Sequence, residues 1–164
     1  MNSATMPEVA RPPLEGQRAR DLMSPNPVSL RRKATVREAV ALLTDRGFSA
    51  APVIDEAGRP VGVVSRTDVL VHEREHVRHA RLDDVADWEG YPGGVGHEGF
   101  SVEVVDPTRV EEIMTPVVFT VSLNTPARDV VKQMLGLKVH QLFVVDDGEA
   151  LVGVISALDV LRHL

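Results

Sequence analysis

The chain has 164 residues, 43% hydrophobic and 26% charged, which is the make-up of one ordinary globular domain or of two half-size units sharing a core. A formal net charge of −6 argues against a nucleic-acid partner and a polybasic membrane anchor, and one Trp, one Tyr and four Phe are too few for a base-stacking platform. The lack of cysteine excludes disulfides, thiolate metal sites and cysteine nucleophiles. No apolar run approaches the roughly 18 residues of a membrane span, and residues 1–16 hold no apolar signal core, so a cytoplasmic protein is expected.

Residues 1–16 carry Pro7, Pro12 and Pro13 without periodicity and read as a mobile tail. A short helix is expected to run into Met23-Ser24-Pro25, followed by a strand over Val28–Leu30. Arg31-Arg32-Lys33 is a basic run of the kind that is ordinarily solvated surface. Thr35 and Glu38 have capping-box spacing, Val36, Ala39, Val40 and Leu43 make one apolar helix face, and Gly47 is the stop. Strands over Ala51–Ile54 and Pro60–Ser65 flank the turn Asp55-Glu56-Ala57-Gly58, and a helix starts near Ser65. Glu73–Ala86 is charged and extends that helix. Glu89–Gly99, rich in glycine, is expected to be loop, with Trp88 and Tyr91 packing it onto the body.

Asp106 is then a candidate N-cap, with Pro107 at the first helical position, for a helix that ends at Met114-Thr115-Pro116. A strand over Val117–Val121 follows. Thr125 and Pro126 open a helix whose Ala127, Val130, Val131 and Met134 face inward. Strands over Leu142–Val145 and Leu151–Ser156 flank Asp146-Asp147-Gly148-Glu149, and the last helix starts near Ser156.

The second half restates the first. Laid so that Leu22 falls on Ile113, the stretch from Leu22 to Leu70 matches Ile113 to Leu161 without a gap. Met23-Ser24-Pro25 meets Met114-Thr115-Pro116, and Val61-Gly62-Val63-Val64-Ser65 meets Val152-Gly153-Val154-Ile155-Ser156. A unit of this size cannot cover both faces of its sheet alone. The expected fold is therefore α+β, two βαββα repeats packed sheet to sheet with pseudo-twofold symmetry. The expected segments are a tail (1–16), a first repeat (17–72), an insertion (73–105) and a second repeat (106–164).

These motifs resemble the tandem cystathionine-beta-synthase (CBS) domain pair, or Bateman module. That family combines a Met-Thr-Pro opening with a closing Gly-h-h-Ser/Thr-x-Ser/Thr-Asp, where h is hydrophobic. Gly62-Val63-Val64-Ser65-Arg66-Thr67-Asp68 matches in full, while Gly153-Val154-Ile155-Ser156-Ala157-Leu158-Asp159 has Leu158 in place of a hydroxyl residue. The resemblance implies a stand-alone regulatory module. It would bind AMP, ADP, ATP or S-adenosylmethionine between the repeats, dimerise through its helices, and act as an energy or metabolite sensor on a separate effector protein. No cofactor is required beyond that regulatory ligand. His140-Gln141 resembles the His-Arg pair that contacts nucleotide phosphates in the gamma subunit of AMP-activated protein kinase, with Gln in place of Arg.

The residues themselves point the same way. A helix starting after Ser65 exposes N–H groups suited to phosphate; Arg66 adds a cation and Thr67 a hydroxyl. Asp68 offers two acceptors for the two hydroxyls of a ribose, while Val28, Ala50, Ala51, Pro52 and Val64 form an apolar slot for adenine. Ser156 and Asp159 are the counterparts of Ser65 and Asp68 in the second repeat, and His140, a candidate phosphate contact by the resemblance alone, falls opposite Ser49. The plain alternative is that Ser and Asp at a helix start are only a cap. A structural or dimerisation scaffold with degenerate ligand sites is the competing function.

His72, His76 and His79 have helical spacing that can present imidazoles to a divalent metal, although a charged solvated helix is the ordinary reading and no metal is expected. Asp83-Asp84 and Asp146-Asp147 lie in a charged insertion and a turn, without a positioned partner for acid–base work. No nucleophile–base pair is legible, and the chain is not expected to be an enzyme.

Overall fold

A computed structural model describes residues 14–86 and 106–164, apart from the side chains of 77–86. The bulk of the tail, Trp88, Tyr91, the Glu89–Gly99 loop and the side chains of His79, Asp83 and Asp84 lie outside the described residues. The elements in order are α1 (Ala19–Leu22), β1 (Ser24–Pro25), β2 (Leu30–Arg31), α2 (Val36–Asp45), β3 (Ala50–Ile54), β4 (Pro60–Ser65), α3 (Arg66–Ala86), α4 (Val110–Ile113), β5 (Thr120–Ser122), α5 (Ala127–Leu137), β6 (Gln141–Val145), β7 (Leu151–Ser156) and α6 (Ala157–Leu161).

Local chemistry accounts for most of these boundaries. Thr35 Oγ1 accepts from the Glu38 N–H at 3.2 Å, while Glu38 Oε2 accepts from the Thr35 N–H at 2.6 Å, so the expected capping box opens α2. Gly47, at φ +66, ends that helix. In α5, Ala127, Val130 and Met134 are buried, as the 3.6-residue period requires, while Val131 is partly buried. The charged stretch after Glu73 continues α3 to Ala86.

Three expectations shift. Asp106 does not cap α4, whose N-cap is Arg109; its Oδ1 accepts instead from the Thr108 N–H at 2.9 Å in a local turn. Val28 and Val117 fall outside the strands, 38% and 51% exposed, and β2 and β5 begin only at Leu30 and Thr120. Each valine directly follows a proline, which has no N–H to give to a ladder.

The described chain forms two compact units. The three-stranded unit contains Val28–Glu56 and the described part of Pro60–Val117. Its sheet has the order β2-β3-β4, with β2 parallel to β3 and β3 antiparallel to β4. Its core gathers Leu30, Val36, Ala39, Leu43, Ala51, Val53, Val64, Val69 and Val110. The four-stranded unit contains the described residues up to Pro27, Ala57–Arg59 and Val118–Leu164, with sheet order β1-β7-β6-β5. Its core includes Ala19, Leu22, Val121, Val130, Leu142, Val144 and Ile155.

Sequence repeat and compact unit are offset by one segment. The opening helix of the first repeat, α1, lies in the four-stranded unit, and that of the second, α4, lies in the three-stranded unit. The matching motif residues then make equivalent pairings: Ser24 is antiparallel to Val154 within β1–β7, and Thr115 bridges antiparallel to Val63. The Met-Ser/Thr-Pro motif of each repeat thus docks on the Gly-containing strand of the other repeat's sequence.

Candidate functional site

The candidate residues of the first repeat converge on the junction between β4 and α3. In the β3–β4 ladder Ala50 pairs with Ser65, Ala51 with Val64 and Pro52 with Val63. The Arg66 N–H donates to Ser49 O at 3.0 Å. The start of β3 therefore lies alongside the first residue of α3, bringing Ala50, Ser65 and Arg66 together. Arg66 and Thr67 are exposed, and Ser65 and Asp68 are half-buried. One guanidinium N–H of Arg66 donates to Leu43 O at 3.3 Å, a weak bond that a phosphate can replace.

Ser65 and Asp68 form a capping box. Ser65 Oγ accepts from the Asp68 N–H at 3.2 Å, and Asp68 Oδ2 accepts from the Ser65 N–H at 2.7 Å and hydroxyl at 2.6 Å. The box uses only Oδ2. Oδ1 has no partner among the described residues, so the same carboxylate caps the helix and keeps an acceptor open.

The apolar slot is only partly as expected. Val64, fully buried, and Ala51, at 1% exposure, are closed into the unit's core. Strand alternation turns these two side chains inward, and Ala50 and Pro52 to the other face. Neither Val64 nor Ala51 presents its side chain to a ligand. Ala50 is half-buried, Pro52 buried and Val28 exposed.

The second repeat builds the same box with a different outcome. Ser156 Oγ accepts from the Asp159 N–H at 3.2 Å, and Asp159 Oδ2 accepts from the Ser156 N–H at 2.8 Å and hydroxyl at 2.6 Å. Asp159 is 8% exposed, and its Oδ1 accepts from Arg162 at 3.4 Å. Leu158, 57% exposed, brings no donor. His140 is exposed beside this junction, where its carbonyl accepts from the Ala157 N–H at 2.9 Å.

The structure also pairs residues that sequence reasoning kept apart. His72 Nε2 donates to Asp106 Oδ2 at 2.6 Å. The bonds from Thr108, and then the one from His72, hold the Asp106 carboxyl well below the usual carboxylate range, against the opposing effect of its partial burial. No local signal marks this contact, because it closes over a long insertion.

The family model for the CBS domain matches residues 19–75 and 110–164. The chain is a CBS-domain protein. Its two matches are the tandem repeat seen in the sequence, so it carries a CBS pair. The gamma-3 subunit of 5'-AMP-activated protein kinase from Bos taurus is 28% identical over 131 residues, covering 80% of this chain and 22% of that protein. This CBS pair therefore spans about a fifth of that relative's length. The crystal structure of CBSX2 in complex with AMP superposes with a TM-score of 0.63 at 26% identity, covering 90% of this chain and 95% of that one. The cytosolic domain of the Mg²⁺ channel MgtE in complex with ATP gives 0.63 at 29% identity, covering 92% of this chain and 50% of that one. The mixed helix–strand fold of this CBS pair is that of these neighbours.

Proposed function

We propose that this CBS pair is a regulatory sensor of adenine nucleotides that acts on a separate effector protein, with its ligand held at the β4–α3 junction. The observation that carries this reading is the open Oδ1 of Asp68, next to the exposed Arg66 and Thr67 at the start of α3. The helix N–H groups, the Thr67 hydroxyl and the Arg66 guanidinium take the phosphate. Asp68 Oδ1 accepts from a ribose hydroxyl while Oδ2 keeps Ser65 in place. Val28 and Ala50 give the adenine an apolar flank, while Pro52, predicted as part of it, is buried. The AMP bound to CBSX2 and the ATP bound to the MgtE cytosolic domain support this choice of ligand. S-Adenosylmethionine shares the adenosine that Asp68 would hold and belongs to the same test.

In the second repeat, Arg162 occupies the equivalent oxygen and Leu158 replaces the hydroxyl residue. Ser156, Asp159 and His140 therefore contribute less, and one ligand per chain is expected. The reading includes a cytoplasmic homodimer and no catalysis. An exposed apolar face in the four-stranded unit, with Leu135, Leu161 and Leu164 lining a groove of about 660 Å³, favours self-association, and this is also the feature on which a pure scaffold reading would rest.

Calorimetric titration of the full chain with AMP, ADP, ATP and S-adenosylmethionine tests the proposal. Asp68→Ala should weaken the preferred ligand by about 10- to 100-fold, while Asp159→Ala, which breaks an equivalent cap, should leave binding intact. No binding of any of the four at millimolar concentration would leave the scaffold reading standing.

A further inference from the structure

α3 and the segment before α4 carry a group of side chains that the nucleotide site does not use. His72 and His76 are four residues apart on α3, so their imidazoles share one helix face. Asp106, 34 positions beyond His72 in sequence, meets both. His72 Nε2 lies 2.6 Å from Asp106 Oδ2, and His76 Nε2 lies 3.5 Å from Asp106 Oδ1. The two rings stand edge to face with centroids 5.4 Å apart. One ligand atom from each of the three residues falls within 4.8 Å of the others.

We propose that His72, His76 and Asp106 form a binding site for a divalent first-row transition ion of the zinc type. Two imidazole nitrogens and one carboxylate oxygen are the donor set such ions take, whereas magnesium and calcium prefer oxygen alone. At zinc bond lengths of about 2.0–2.2 Å, the donors of a tetrahedral site lie about 3.3 Å apart. The two nitrogen–oxygen distances, one to each carboxylate oxygen, fall on either side of that value; the three donors lie within 4.8 Å of one another, and the half-exposed His76 side chain can close the remainder. The site is also supported from behind. Asp106 Oδ1 is oriented by the Thr108 N–H at 2.9 Å, the kind of second hydrogen bond that aims a metal-ligating carboxylate. His72, with a side chain 14% exposed, forms the inner wall, and His76 and Asp106, at 50% and 31%, form the open side. Water completes the coordination there.

For the ion to bind, His72 Nε2 must give up the proton it now donates to Asp106. In the neutral ring that proton moves to Nδ1, which leaves Nε2 free to ligate. The bound ion would join α3 to the chain leading into α4. This site is independent of the nucleotide reading and is tested without nucleotide.

The test uses untagged full-length chain stripped with chelator and then titrated with zinc chloride, with Co²⁺ as the spectroscopic probe. One Zn²⁺ per chain is expected. Co²⁺ should give visible d–d bands of a low-coordinate site, which zinc abolishes and millimolar Mg²⁺ does not. His76→Ala removes an exposed side chain and should fold normally, yet weaken zinc at least about tenfold; Asp106→Asn should do the same. Absence of zinc binding, or binding that survives in both variants, overturns the proposal. Should Asp106→Asn fail to fold, the His76→Ala result decides alone.

Discussion

Met114 occupies the space in which Gly62 would carry a side chain. A Cβ built on Gly62 lies 2.6 Å from Met114 Sδ and 2.8 Å from the carbonyl oxygen of Thr115. That carbonyl is fixed, since it accepts from the Val63 N–H at 3.0 Å while the Thr115 N–H donates to Val63 O at 2.9 Å. The glycine of the closing motif and the methionine of the opening motif are thus two sides of one contact. Met23 and Gly153 repeat it in the four-stranded unit, where the three nearest atoms are Sδ, Cγ and Cβ of Met23.

Gly62→Ala should therefore destabilise the protein more than Gly153→Ala. The first must move a hydrogen-bonded backbone carbonyl, an overpacking cost of about 1–3 kcal/mol. The second must turn the flexible Sδ and Cγ of Met23 aside and ease past its Cβ at 3.1 Å, without moving a hydrogen-bonded carbonyl, and should cost less. Urea unfolding of the two variants checks the order; equal losses would mean that the Thr115 carbonyl yields as easily as a side chain.

The two Ser–Asp boxes should separate in the same way. Ser65→Ala and Ser156→Ala each remove a cap acceptor, worth about 1 kcal/mol. Ser156→Ala also withdraws a hydroxyl donor from Asp159, which is buried, whereas Asp68 is half-exposed and can turn to water. The larger fall in melting temperature is expected for Ser156→Ala, read by calorimetry at neutral pH.

Acid should act on α2 through its cap. The Thr35 backbone N–H, and then its hydroxyl, hold Glu38 below its ordinary value of 4.5. A carboxylate depressed on folding adds stability above its unfolded pKa, and that stability is lost as pH falls through the lower folded value. Stability should therefore decline on acidification below about pH 4.5. Glu38→Gln keeps an acceptor for the Thr35 N–H but cannot titrate, so the decline should be shallower in that variant. Parallel slopes in urea titrations across this range would assign the acid sensitivity to other groups.

Leu43 and Leu142 are among the largest fully buried side chains, one in each core. Leu43→Ala and Leu142→Ala should each cost about 2–5 kcal/mol. Unfolding followed by probes placed in each unit would show whether each loss stays local or is shared.

Much of this fold is written in short stretches of sequence. Thr35 with Glu38 set the start of α2, Gly47 set its end, and the two copies of the closing motif placed β4 and β7 and the helices after them. The candidate residues around Ser65 were legible for the same reason, since a capping box spans only four positions. Asp106 shows where local reasoning stops: its sequence fits an N-cap, yet a turn with Thr108 and a bond to His72 claimed it.

From its sequence alone, this protein declares a repeated βαββα unit with a helix-capping Ser–Asp pair at each closing strand, because periodicity and caps act within one or two turns of chain. Tertiary structure decided which sheet each opening segment joins, that Asp68 keeps Oδ1 open while Arg162 takes that oxygen of Asp159, that Val64 faces the core, and that Asp106 meets His72 and His76. Two-residue strands and single side chains have no period to reveal their partners. Those pairings are chosen by the space and the hydrogen-bonding groups that the rest of the folded chain leaves beside them.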